Sequence, residues 1–128
     1  GFGVVAHPES TLVLTRALLR ANAGSALRVE SGDMATTVDL SITGPVTGTT
    51  QHCVVASGTL QMTSFEITSC PQCGLVIEDT STVVVSNGII TQATYGACVA
   101  RRAGITMQSL TQRVTYRNNV TNVDDYDR

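Results

Sequence analysis

The residues with the most chemistry to offer are four cysteines, Cys53, Cys70, Cys73 and Cys98. An even number in a chain of low charge reads as two structural disulfides, although four cysteines allow three connectivities. Strands folded back around Asn87-Gly88 would bring Cys98 near Ile77, close to where Cys73 enters. That favours Cys73–Cys98 with Cys53–Cys70; Cys70–Cys73 with Cys53–Cys98 is the rival pairing. The run Cys70-Pro71-Gln72-Cys73-Gly74 also has the form of a zinc knuckle, in which a tight turn presents two thiolates to one ion. Its second half is missing, since Cys53 and Cys98 stand alone, with His52 beside the first. A redox Cys-x-x-Cys would open a helix in a βαβ unit, a pattern the flanking sequence lacks.

The other reactive residues are scattered. His7 and His52 are the only histidines. On a strand, His52 and Cys53 point to opposite faces and cannot act together as base and nucleophile. Glu78-Asp79 read as polar loop residues rather than a hydrolytic pair, which would need both carboxylates in one cleft. Asp124-Asp125-Tyr126-Asp127 could lend oxygens to calcium but reads as a solvated acidic tail. Gly1-Phe2-Gly3 has no strand before it, so it is not a phosphate loop. Asn119-Val120-Thr121 is an N-glycosylation acceptor. No catalytic constellation and no cofactor site emerge, and the expectation is a protein that is not an enzyme.

Charge excludes further classes. All eight basic residues of this 128-residue chain are Arg, and none lies between Arg28 and Arg101, where six acidic residues fall. A nucleic-acid binder must neutralise several phosphates, which this long interval cannot do. Arg101-Arg102, Arg113 and Arg117, with Tyr116 among them, read as solvated arginines on an edge strand. No apolar run approaches the length of a membrane span, so direct membrane insertion is not expected. Gly1 to Pro8 lacks the basic and apolar regions of a signal peptide.

The elements that must position these residues read as strands. Val, Ile and Thr make up about a third of the chain, a composition suited to pleated, half-buried surfaces. Ser10 to Arg20 reads as strand, since Thr11, Val13 and Thr15 are branched, although Ser10 could cap a helix; any helix is expected before Asn22. Val38, Leu40 and Ile42 alternate with Thr37, Asp39, Ser41 and Thr43 until Gly44-Pro45, and Thr47 to Thr50 read as loop. Cys53 to Ala56 and Thr59 to Thr68 follow, separated by a turn at Ser57-Gly58. In the second of these, Leu60 and Met62 share one phase and Phe65 and Ile67 the other, so Thr63-Ser64 reads as a β-bulge. Thr82 to Ser86, Asn87-Gly88 and Ile89 to Thr91 read as a type I′ hairpin. Tyr95 to Ala100 and Ile105 to Tyr116 supply further strands. No internal repeat stands out. About seven to nine short strands with regular turns predict an all-β, antiparallel sandwich.

The stretch from Ser25 to Arg117, with its short alternating strands, four cysteines, Asn87-Gly88 turn and sequon at Asn119, resembles an immunoglobulin-like domain of a secreted or envelope glycoprotein. More narrowly, it is similar to the stem-proximal sandwich of class II membrane-fusion glycoproteins. It departs from antibody-type domains in having no Trp and no Tyr two residues before Cys98. The resemblance implies a flexible entry at 1–9, a sandwich at 10–117 and an acidic linker or tail at 118–128. It also implies a non-enzymatic module on a cell or virion surface, working through protein partners or neighbouring domains, membrane fusion included. The alternatives are a zinc-stabilised intracellular adaptor and a self-assembling pilin-like or capsid-like subunit.

Overall fold

The structure is a computed structural model, and it describes residues 4–6, 11–20, 25–44, 52–79, 81–103 and 105–126. His7, Pro8, Asp127 and the Thr47–Thr50 loop lie outside these residues. Twelve strands and one helix are described: β1 Val4–Ala6, β2 Thr11–Thr15, β3 Leu18–Arg20, β4 Leu27–Val29, β5 Met34–Thr43, β6 Val54–Ala56 and β7 Thr59–Thr68. They continue with β8 Cys73–Ile77, β9 Thr82–Thr91, β10 Tyr95–Ala100, α1 Met107–Arg113, β11 Val114–Arg117 and β12 Thr121–Tyr126.

Every strand pairing is parallel. One sheet, sheet A, runs β1-β4-β6-β8-β10-β12; the other, sheet B, runs β11-β9-β7-β5-β2, with β3 also on β5. Successive stretches of chain therefore coil through sheet A, then sheet B, and stack. The antiparallel sandwich expected from the sequence is overturned: this is a β-solenoid. Alternation with period 2 is common to parallel and antiparallel strands, so it could not distinguish them. Nor is there a hairpin among the described residues, because each strand's neighbour is one coil away in sequence. The entry at 1–9 and the tail from 118 were expected to stand outside the domain. Yet β1 pairs with β4, and β12 with β10.

Each long strand of sheet B is bent once. In β5, β7 and β9 the buried residues switch phase at one place. Ala35 and Thr37 precede Leu40 and Ile42; Leu60 and Met62 precede Phe65 and Ile67; Val83 and Val85 precede Gly88 and Ile90. At each switch sits a residue of positive φ, namely Asp39 (55°), Ser64 (56°) and Asn87 (57°), with Arg16 (55°) at the same level between β2 and β3. A left-handed residue turns the chain without ending its ladder. The β-bulge read at Thr63-Ser64 is this corner. Asn87-Gly88 is another, not a hairpin: Gly88 does not share the positive φ that a type I′ turn requires. Likewise Val38, read as facing inward with Leu40, lies before the corner and is 38 % exposed.

The core fills the coil in columns whose successive side chains lie about 4.8 Å apart. Leu27, Val54, Leu75 and Ala97 form one from sheet A, and Ile42, Ile67 and Ile90 one from sheet B; all are buried. Tyr116 continues the isoleucine column, and its hydroxyl donates to the Leu110 carbonyl (3.3 Å). Burial in these surroundings raises its pKa above tyrosine's ordinary 10.0. The expected strand from Ile105 is partly helix: Thr106 caps α1 by accepting from Ser109 N–H (3.1 Å). Leu110 on that helix is fully buried. Thus the described helix lies near the end of the chain, not before Asn22.

Candidate functional site

Both bridges form, Cys53–Cys70 and Cys73–Cys98, leaving no free cysteine. The zinc-knuckle and redox readings of Cys70 and Cys73 are thereby overturned. The pairing favoured from sequence is right, but the hairpin used to reach it is absent. Cys98 stands opposite Val76 because β8 and β10 are parallel neighbours. The two bridges differ in place. Cys53 and Cys70 belong to the main core, whereas Cys73 and Cys98 join Val55 and Val76 in a separate cluster. Register sets Cys73 opposite Tyr95 and Cys98 opposite Val76, yet the bridged Cα atoms are only 6.0 Å apart. Three extended residues span about 10 Å, so the chain must bend sharply between Cys73 and Val76. Gly74 lies on this stretch at a close approach, since a Cβ there would meet the Gly96 carbonyl at 2.7 Å and Ile90 Cγ2 at 2.8 Å.

Sequence-derived candidates are thus partly brought together. His52 is half-buried, and its Nδ1 accepts from Cys73 N–H (3.2 Å). His52, the Cys73–Cys98 bridge, Tyr95 and Asp124 meet at one cavity on sheet A. Asp124 is therefore a strand residue rather than part of a free tail. Among the described residues no group of three or more His, Cys, Asp or Glu is placed to hold a metal. Glu78 and Asp79 lie just past β8, where the Glu78 carbonyl accepts from Ser81 Oγ and N–H. Arg101, Arg102, Arg113 and Arg117 are exposed, but only Arg117 is on a strand. Asn119 is half-buried, and its carboxamide bridges coils: Oδ1 accepts from Ala93 N–H (2.9 Å) and Nδ2 donates to the Ile90 carbonyl (3.0 Å).

The larger concavity lies at the corner of sheet B, which the sequence reading did not single out. Where the two arms of β5, β7 and β9 meet, a groove of about 820 Å³ runs along the solenoid axis. It crosses four successive coils, with Asp39 and Ser41, Ser64 and Glu66, Asn87 and Ile89, then Gln112, Arg113 and Thr115. Parallel stacking puts like positions in line: Ser41, Glu66, Ile89 and Thr115 share one register. Asn87 Nδ2 donates to Ser64 Oγ (3.1 Å), which fixes the rung between them. Asp39 and Glu66 make the half away from α1 acidic, and Arg113 places one cation at the α1 end. A phase slip repeated at Val38-Asp39, Thr63-Ser64 and Ser86-Asn87 was the available sequence signal.

Comparison with protein-family models, with curated proteins and with solved structures finds no significant match. Two disulfides fit an oxidising, extracellular setting, and no described helix is long and apolar enough to cross a membrane.

Proposed function

We propose that this chain is a non-enzymatic, extracellular binding module whose corner groove takes an extended protein segment bearing basic side chains. The observation that carries the reading is the groove's continuity across four coils, with polar side chains at each. In a solenoid the main-chain donors and acceptors beneath such a groove are spent on neighbouring coils. A guest cannot add as a strand there and must be read through its side chains. Asp39 and Glu66 favour Lys or Arg in the half away from α1, and Arg113 favours an acidic residue or carboxylate at the other end. The partner is thus a neighbouring domain or a separate protein.

Binding to an array of short peptides of graded charge tests this. Basic peptides should be retained, and Asp39→Lys with Glu66→Lys should abolish retention while thermal stability changes little. Equal retention of acidic peptides, or none of either, overturns the reading.

Self-assembly is a second reading, favoured by the other outward face of sheet B. The arm before the corner exposes Val13 (66 %), Met34 (46 %) and Val84 (55 %), and no charged side chain lies within Thr11–Thr15, residues 34–38, residues 59–63 or residues 82–86. Light scattering over a concentration series separates the two: a mass that grows with concentration supports self-assembly.

A further inference from the structure

The outward face of sheet A changes character along the stack. One register position is occupied by Arg28, Val55, Val76, Cys98 and Asp124 in turn. The three central side chains point away from the core, yet Val55, Val76 and Cys98 are 6 %, 3 % and 5 % exposed. With Cys73 and Tyr95 they form an apolar cluster of their own. On it sits a cavity of about 250 Å³, floored by Val76 and the Cys73–Cys98 bridge and walled by His52, Gln72, Tyr95 and Asp124.

Three features restrict what this cavity can hold. It is smaller than the roughly 300–1,000 Å³ of pockets for drug-sized molecules, so it suits a single six-membered ring. Its floor and the Tyr95 ring accept an apolar C–H face rather than a fully solvated ion. Its walls mix hydrogen-bonding roles: the Asp124 carboxylate accepts, while the Gln72 carboxamide and the Tyr95 phenol both donate and accept. A cation calls for acceptors alone and an anion for donors alone. A mixed set around an apolar floor matches a ligand whose every polar group does both, which is a ring of hydroxyls.

We infer that this pocket binds one neutral pyranose ring of a glycan, its C–H face on Tyr95 and Val76 and two hydroxyls on Asp124 and Gln72. The neighbouring His52 is a positioning residue. Its Nδ1 is tied to Cys73 N–H, so the wall and the bridged floor are held as one piece. The site is separate from the corner groove, which belongs to sheet B, and neither depends on the other.

The test uses the whole chain. Methyl pyranosides of the gluco, galacto, manno and 2-acetamido series are titrated while the methyl signals of Val55 and Val76 are followed by NMR, with choline and inorganic phosphate as charged probes. At least one pyranoside should shift these signals saturably, and neither charged probe should. Asp124→Asn and Tyr95→Ala should each weaken that binding by ~10-fold or more, whereas Glu66→Gln in the groove should leave it unchanged. Should Tyr95→Ala unfold the chain, the isosteric Asp124→Asn alone decides. No shift by any pyranoside at tens of millimolar, a shift by choline or phosphate instead, or unaltered affinity in Asp124→Asn overturns the inference.

Discussion

The third and fourth coils stack differently from the fifth on the fourth. Between β7 and β9 the offset is constant, and the side-chain bonds that join them all span 23 residues. These are Asn87 to Ser64, Thr91 to Thr68 and Ser69 to Gln92, with Thr94 Oγ1 to the Pro71 carbonyl beyond. On the fifth coil the first arm of sheet B is replaced by α1, and only β11 pairs with the second arm of β9. There the joint rests on Tyr116, Leu110 and the Asn119 carboxamide. A regular joint divides its stabilisation among many equivalent rungs, while an irregular one concentrates it in a few side chains. Substitutions should separate the two.

The largest effect is expected inside the regular joint, at Gly88. A Cβ there would overlap the Phe65 ring of the coil below, its register partner. Gly88→Val should therefore destabilise by about 3 kcal/mol, as overpacking of a tight core does. Read as a hairpin, the same residue would resist substitution through positive φ, but its backbone has none. The double variant with Phe65→Ala tells these causes apart. Overpacking predicts that Gly88→Val costs much less in the Phe65→Ala background, measured by urea denaturation; backbone strain predicts an unchanged cost.

Next come the bridges: Cys53–Cys70 runs from just before β6 to the segment between β7 and β8, whereas Cys73–Cys98 ties β8 to β10. Each closes a loop of moderate length, 17 residues for Cys53–Cys70 and 25 for Cys73–Cys98, worth ~3 kcal/mol in the chain-entropy model. Their accessibility differs, since one is packed in the core and the other floors a cavity. Limited reduction with thiol alkylation and mass spectrometry should label Cys73 and Cys98 first. Simultaneous labelling of all four would show that the inner bridge opens only with the outer.

At the irregular joint, Asn119→Ala removes two hydrogen bonds to the backbone of the coil below, at a cost of about 1–2 kcal/mol. Hydrogen exchange should quicken at β11 and β12 and stay slow in β7. Uniform quickening would show that the last coil is not a separate cooperative unit.

How much of this was legible in the sequence differs between the same regions. Strand positions at Cys53 to Ala56, Thr59 to Thr68, Thr82 to Thr91 and Tyr95 to Ala100 were, helped by alternation in the two long strands and by Ser57-Gly58. By contrast, β8 was not singled out, because its residues are buried throughout and do not alternate. At Ser64 the corner showed as a phase slip because Thr63 and Ser64 are polar between two apolar pairs. At Asp39 it was hidden by Val38, apolar yet outward, and at Asn87 by a dipeptide that suits a hairpin equally. The repeat escaped notice since stacked residues lie from 21 apart (Val54 to Leu75) to 27 apart (Leu27 to Val54). What recurs is a pattern of burial, not of residue types. The corner groove was illegible for the same reason, being made by register between coils. The sheet A pocket joins residues as distant as His52 and Asp124, which no local spacing connects.

The smallest expected effect returns to the regular stack and has the opposite sign. Thr37 is fully buried between Leu14 and Met62 in the first arm of sheet B, and its hydroxyl has no hydrogen-bond partner. A buried hydroxyl left without a partner costs about 1–3 kcal/mol in mutational series. Valine has nearly the same shape and branching, suits a parallel strand buried on its inner face, and exchanges the hydroxyl for a methyl group. Thr37→Val should therefore raise stability by ~1 kcal/mol, seen as a higher urea midpoint at unchanged slope. Val85 already occupies the matching inward position two coils on, so valine suits this column. A lower midpoint would mean that the hydroxyl has a partner in solution, and a buried water between the coils would be the one to look for.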